Sequence, residues 1–539
     1  MLVEIVSCLM NLVLSKWSLV AGILVYFGYK WSTATFDIFE KRGLKFIPPI
    51  PLIGNSKNMV FQLESFSNFI KNLYNYFPQE KIFGLFEFRQ PTFMLRDPEL
   101  IKQLCVKDFD HFLDHRLMLH EDQDPLFTKN LVSLKGQKWR DMRSTLSPAF
   151  TGSKMRAMFH LISECCADTV SYLEKEVKDE KALLTDTRDL FTRFTNDAIA
   201  TCAFGIKVDS FRDKNNVFYL SGKTASDFSG FRSLIFLCLQ QFPNLSKFLG
   251  LSLFTKEFST FFSNLVWDTI RYRERENVIR PDMINLLIQA RKGKLKHEQE
   301  ECDQEGYSTA KEITVGQVID QSKLDEDDLT AQCVVFFLAG FDTSSTLMCF
   351  TAHELAVNPE VQKKLLQEVD ATYEKLEGRP LTYEALQNMP YLDMVISESL
   401  RYWPPAVVTD KRCVKPYTVR MDGQSHDVKV GEGIMIPIIG LHHDSQYFPN
   451  PDIFDPERFN EENKHNIVPF TYLPFGVGPR NCIGSRFALM ETKAIIYYIL
   501  TKFTFEVSEK TQIPLKLKNG GFSVKPEKGF WLDLKPRND

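Results

Sequence analysis

Residues 475–484 read Phe-Gly-Val-Gly-Pro-Arg-Asn-Cys-Ile-Gly. Gly476, Gly478 and Pro479 lie just before Cys482 and fix a tight turn. Gly484 follows, and an apolar helical pattern runs over about 485–500. Cys482 therefore sits near a helix N-terminus. The helix dipole and the free backbone N–H groups there favour a thiolate over a thiol. A thiolate is the form that binds a metal. The plain alternative is an ordinary turn with a buried cysteine ahead of a helix.

Three further patterns flank this loop upstream. Residues 334–350, VVFFLAGFDTSSTLMCF, set a polar island of Asp342, Thr343, Ser344, Ser345 and Thr346 inside an apolar helix, just after Gly340. Hydroxyls there can bond back to carbonyls four residues earlier and bend the helix. Buried polar groups cost free energy unless they have partners or a task. An acid and a hydroxyl beside a helix distortion suit controlled proton delivery. Glu398 and Arg401 stand at i, i+3 in Ser-Glu-Ser-Leu-Arg and share a helix face. As a surface pair they would contribute only a few tenths of a kcal/mol. Trp139 and Arg143 stand at i, i+4 and bring two donor groups to one face, suited to carboxylates.

Together these residues resemble the cytochrome P450 family. Its cysteine loop FxxGxRxCxG is matched at every fixed position of 475–484, and 339–343 resembles its AGxDT motif. The pair Glu398–Arg401 resembles its ExxR, the loop 456–459 (Pro-Glu-Arg-Phe) supplies the partner Arg458, and Trp139 with Arg143 resembles its WxxxR. The resemblance implies haem b with the Cys482 thiolate as axial ligand. It implies oxygen-activation roles for Asp342 and Thr343 and a structural network of Glu398, Arg401 and Arg458. Trp139, Arg143 and Arg480 are implied to hold the haem propionates. Where the family usually has another arginine, this chain has Lys411 followed by Arg412. Lysine keeps the charge without the bidentate fork, and both neighbours stay open as propionate ligands. The runs 139–155 and 403–413 look like insect microsomal members, most like the ninth insect family. The implied fold is mainly α, a helical triangular prism with a small β-rich part. The implied activity is a monooxygenase that inserts one oxygen atom of O2 into an apolar small molecule. Xenobiotic detoxification is the expected role, with oxidation of an endogenous lipid, hormone or pheromone as the alternative. Electrons are expected from NADPH through NADPH–cytochrome P450 reductase, with cytochrome b5 as a second candidate donor.

Composition agrees with an enzyme of ordinary globular make-up. The chain has 539 residues, 44% hydrophobic and 25% charged, with net charge -4, so nothing points to nucleic acid. Phe is abundant at 45 residues, a core signal that also suits an apolar pocket. The 11 cysteines form no CxxC pair or regular frame and suit a reducing compartment. Residues 1–30 are read as an N-terminal membrane anchor, with an apolar run over 5–29 interrupted by Lys16. A cleaved signal peptide is the competing reading. Lys30, Lys41, Arg42 and Lys45 follow the run and place the bulk in the cytosol, on the endoplasmic reticulum membrane. A basic, proline-rich hinge is expected over 31–54 and the catalytic domain over 55–539. Helices are predicted over 139–176, 355–377 and 383–402, a solvated loop over 291–328, and strands over 416–430, 503–508 and 521–534. The apolar stretch 231–254, broken by Pro243 and Gly250, reads either as a membrane-dipping loop or as core.

Two rival readings come from another class. His442-His443-Asp444 contains part of a two-His-one-carboxylate iron site, which also needs a distal histidine on a β-jelly roll. The other rival is a non-catalytic haem-binding protein. His111 and His115 lack the glutamate of a zinc HExxH motif and are read as loop or helix-surface residues. Lys135, Lys138, Arg140 and Arg486 are expected to form a basic patch for the reductase.

Overall fold

Prolines cut the long predicted helices. The run predicted over 139–176 is two helices, Gly136–Leu146 and Gly152–Val177, parted by the 3-10 turn Ser147–Phe150. Pro148 lacks the N–H that a helix interior needs. The run predicted over 355–377 breaks at Asn358, and Pro359 opens the helix Pro359–Leu376. The run predicted over 383–402 divides likewise into Tyr383–Gln387 and Pro390–Tyr402.

This computed structural model describes residues 5–7, 10, 16–116, 124–178, 180–227, 230–280, 282–292, 306–310 and 325–537. The loop predicted over 291–328 is corrected at its C-terminal end. Glu326, Asp327 and Asp328 form the first turn of the helix Glu326–Ala339, and Asp325 and Asp328 close a reciprocal capping box. Acids there complement the helix dipole, so a charged stretch was a helix start. Within the same stretch 306–310 is packed: Ser308 Oγ lies 2.8 Å from Ser397 Oγ and 2.7 Å from the Tyr472 hydroxyl. Residues 293–305 and 311–324 lie outside the described residues.

Among the described residues helices dominate, and three small sheets flank them. Strands β1 (Ile82–Glu87), β2 (Gln90–Leu95), β4 (Thr409–Arg412) and β7 (Gly433–Ile436) make one sheet in the order β1-β2-β7-β4. Its β2–β7 pair is parallel, so distant parts of the chain meet there. Strands β3 (Leu183–Asp186), β9 (Trp531–Pro536) and β8 (Phe503–Glu506) make the second. The predicted strand 416–430 is the hairpin β5 (Tyr417–Met421) and β6 (Gln424–Val428), turned at Asp422-Gly423. Of the predicted 521–534 strand, only its end belongs to β9. Most phenylalanines fill the core, for example Phe204, Phe218, Phe262 and Phe337, whose rings pack on one another.

The segment read as a hinge over 31–54 packs against the first sheet. Phe39 is fully buried against Phe86 and Phe93. Ile47 N–H donates to the Gly84 carbonyl and Asn55 N–H to that of Phe86. The prolines thus lie along the edge of β1, where a missing N–H costs no ladder bond. A helix Lys16–Thr33 precedes this edge. The apolar span expected over 5–29 lies partly outside the described residues. Among the described residues, the helix long and apolar enough to cross a membrane is 326–357, which is largely buried in the protein.

Candidate active site

The cysteine loop takes the shape its glycines allow. Gly476 and Gly478 have φ of +77° and +72°, where a side chain is strained. A Cβ on Gly478 would also run into the Cys105 carbonyl. Cys482 N–H donates to Phe475 O at 2.9 Å and closes the turn. The helix Ser485–Lys502 then begins three residues on. The Cys482 thiol is exposed on a cavity of about 370 Å³. The other described cysteines are buried or half-buried, and none is in a disulfide. Burial pushes the Cys105 thiol up to about 11 and that of Cys333 up to about 12, so both remain neutral.

The cavity wall is mostly apolar, with Phe150, Met158, Ile199, Phe336, Leu347 and Phe487 among its residues. One side is basic. Arg143 is buried and donates to the Asn481 carbonyl and to Asn481 Oδ1, both at 2.8 Å. The Arg480 guanidinium lies 4.0 Å above the Trp139 ring and donates to the carbonyls of Leu113 and Leu134. Burial pulls Arg480 down to about 9, against the pull of Asp114. Lys411 is 3% exposed. Burial, with Arg480 and Arg143 adding to it, pulls its ammonium down to about 8. Thr409 of β4 lines the cavity. Lys411, two residues on, shares that face and Arg412 takes the other.

This wall suits a dianionic group. Among the described residues no acceptor lies within hydrogen-bond reach of the Lys411 ammonium, and an unpaired buried cation is costly. Two carboxylates of a bound haem would pair Lys411, Arg143 and Arg480. His115 was missed by sequence reasoning. It lines the cavity, with Nδ1 3.1 Å from Asp410 Oδ1, so it is no surface residue. Its partner lies 295 positions away across the sheet edge, and no local pattern announces it.

Gly340–Ser344 forms a π-helical turn between the helices Glu326–Ala339 and Ser345–Val357. Thr343 Oγ1 donates to the Ala339 carbonyl at 2.6 Å, and Ser345 and Thr346 bond back in the same way. Thr343 is exposed on the cavity. Asp342 is not beside it. Its carboxylate is paired with Arg188 of the helix Thr187–Ile199, and Arg188 also donates to Thr346 at 2.7 Å. Successive helical residues point about 100° apart, and here that turns Asp342 to Arg188 while Thr343 faces the cavity.

Glu398, Arg401 and Arg458 lie together. Arg401 Nε and Nη2 donate to Glu398 Oε2 and Oε1, both at 2.7 Å, and neither side chain is exposed. Arg458 Nε is 3.5 Å from Glu398 Oε1, and Asp455 N–H donates to the same oxygen. His442 is committed to the backbone. Its Nδ1 faces the Arg401 carbonyl at 3.2 Å, and Nε2 accepts from Leu473 N–H at 2.8 Å. Asp444 accepts from the Tyr74 hydroxyl and from Arg96. The iron-site rival therefore has no ligands to offer there. Lys135 and Lys138 are exposed. Arg140 is half-buried, paired with Asp110 over the Phe109 ring, and Arg486 donates to the Phe150 carbonyl.

An exposed cysteine at a helix start, an apolar cavity and a π-helical turn define a haem-thiolate oxygenase site. The cytochrome P450 profile matches residues 45–532, and the chain belongs to that family. It is a monooxygenase, an oxidoreductase whose cofactor is haem with an axial cysteine thiolate. Within the family it resembles the ninth insect family. Cytochrome P450 9e2 of Blattella germanica is 46% identical over 97% of this chain and 98% of that protein. Probable cytochrome P450 9f2 of Drosophila melanogaster is 45% identical over 95% and 97%. Cytochrome P450 9b2 of the same fly is 42% identical over 96% and 98%.

Proposed function

We propose that the chain oxidises apolar foreign molecules, such as insecticides or plant toxins, at the surface of the endoplasmic reticulum. The observation that carries this is the Cys482 thiol facing a mostly apolar cavity bordered by the Thr343 turn. Haem bound there supplies reductive activation of dioxygen. Cys482 donates the thiolate, aided by the helix N-terminus. Trp139, Arg143, Lys411 and Arg480 would hold the haem's two carboxylates. The apolar wall binds substrate and limits access of water. Thr343 presents a hydroxyl oxygen to the cavity and orients an incoming proton. Asp342, held by Arg188, acts as a proton carrier at the outer side of that turn. A screen of apolar toxins with the purified enzyme, reductase and NADPH tests the substrate class. Turnover of endogenous lipids or hormones alone would replace the detoxifying role with the alternative one.

Thr343→Ala is expected to keep haem and fold while diverting electrons to peroxide. Product per NADPH should fall steeply, toward the roughly 100-fold effect of a positioned proton-transfer group. An unchanged ratio removes Thr343 from the catalytic set.

Membrane attachment rests on exposed apolar side chains in two places. Trp17, Leu24, Val25 and Phe27 are exposed on Lys16–Thr33, and Phe248, Leu249 and Leu245 are exposed near Pro243–Phe248. Residues 1–30 serve as the anchor, with the domain facing the cytosol, and the second group dips into the same surface. NADPH–cytochrome P450 reductase docks near Lys135 and Lys138, with cytochrome b5 as a second donor. Lys138→Glu should lower reductase-supported turnover most at low salt, because exposed charges are screened within about 8–10 Å at physiological salt. Peroxide-driven turnover should be spared. Equal losses in both assays would mean damage to the haem site and would end the docking assignment.

A further inference from the structure

Gln332 lies on the helix Glu326–Ala339, one turn before the cavity-lining residues Val335 and Phe336, and is 0% exposed. Its side chain reaches across to a different segment. Oε1 accepts from Leu131 N–H at 2.9 Å, and Nε2 donates to the Lys129 carbonyl at 2.9 Å. Nε2 also donates to the Asp328 carbonyl of its own helix at 3.0 Å. The amide stands only one way round, since the reverse would set N–H against N–H and oxygen against two carbonyls. Arg480 grips the same segment from its other side, donating to the carbonyls of Leu131 at 3.3 Å and Leu134 at 2.7 Å. Between these ties Asn130 Oδ1 accepts from the N–H groups of Val132 and Ser133, both at 3.0 Å, and folds 129–134 into a turn. Leu131 and Val132 of that turn line the cavity. A further tie, from the Lys129 ammonium to Asp325, lies toward solvent, where an ion pair contributes little.

We propose that Gln332 is a positioning residue for substrate selection: it holds the turn 129–134 on the long helix and so sets where Leu131 and Val132 stand in the cavity wall. This inference rests on the apolar-substrate reading of that cavity. Glutamine suits the task by reach and by chemistry. Asparagine is one methylene shorter, and a carboxylate lacks the two N–H donors that Lys129 and Asp328 take up. Gln332 is absent from the described cavity wall, so it acts through the turn. Its hydrogen bonds are buried, where water does not compete for them. They keep the turn in one arrangement before a ligand arrives, and less freedom is then lost on binding. The molecules affected are apolar ones broad enough to touch Leu131 and Val132. A slender ligand that stays close to Cys482 is indifferent to the turn.

The test uses the haem-loaded enzyme, as parent and as two variants. Gln332→Met keeps side-chain length without the amide. Asn130→Ala loosens the same turn without touching the helix. Two azoles that bind haem iron are titrated by the shift of the haem absorption band: imidazole, which extends little beyond the iron, and clotrimazole, an imidazole carrying three aryl rings. Imidazole should bind the parent and both variants alike. Clotrimazole should bind each variant about five-fold more weakly, the fold-change that matches the net contribution of about one hydrogen bond. Both variants should keep the reduced-CO absorption of thiolate haem. A ratio of the two Kd values that stays at the parent's in Gln332→Met would overturn the proposal, and Asn130→Ala decides alone should Gln332→Met not fold. Equal weakening of both azoles, or losses that track haem content, would also overturn it, by making Gln332 structural. A parent that responds to imidazole and not to clotrimazole would overturn the apolar reading of the cavity, and the proposal with it.

Discussion

Arg401→Leu is expected to deprive the chain of its folded, haem-loaded form. Arg401 and Glu398 are both fully buried and joined by two 2.7 Å hydrogen bonds. Arg401 also donates to the His442 carbonyl at 2.9 Å and to that of Ile453 at 3.2 Å, which ties Pro390–Tyr402 to the segment around 442–455. Leucine leaves the Glu398 carboxylate buried with Arg458 at 3.5 Å as its nearest cation. Breaking a buried pair in this way costs about 3–5 kcal/mol. A domain is stable by only about 5–15 kcal/mol. Glu398→Gln should do less harm, since the amide still accepts one bond from Arg401. Haem bound per protein and the thermal unfolding midpoint provide the readout. Full haem content and an unmoved midpoint in Arg401→Leu would show that the pair does not support the fold.

The site was legible where backbone geometry leaves little choice of residue. The turn before Cys482 needs glycine at 476 and 478, so the loop is written openly in the sequence. The Glu398–Arg401 spacing is likewise a helix-face pattern. Legibility ended where long-range packing decides. Asp342 and Thr343 are neighbours in sequence, yet the π-helical turn and Arg188 send their side chains to different surroundings. Lys411 and Arg412 look alike in sequence, and it is the alternation of β4 that puts Lys411 on the same strand face as the cavity-lining Thr409. His115 gives no signal, because a histidine in a loop reads as a surface residue. The acids 326–328 were misread because a capping box and a solvated loop share their composition.

Cys482→Ala is expected to abolish NADPH-supported turnover outright, because thiolate donation promotes O–O cleavage. No other described cysteine is placed to substitute. Cys202 lines the cavity but is buried, and its thiol is held well above its ordinary pKa by that burial. Cys482→His should still offer the iron a ligand, but a neutral imidazole, and it should lose the same activity. The most direct measurement is the reduced-CO difference spectrum of the purified parent and of Cys482→Ala. The parent should show the absorption typical of thiolate-ligated haem, and the variant should show none of it. Retention of that absorption in Cys482→Ala would place the iron on another cysteine and contradict the site described above.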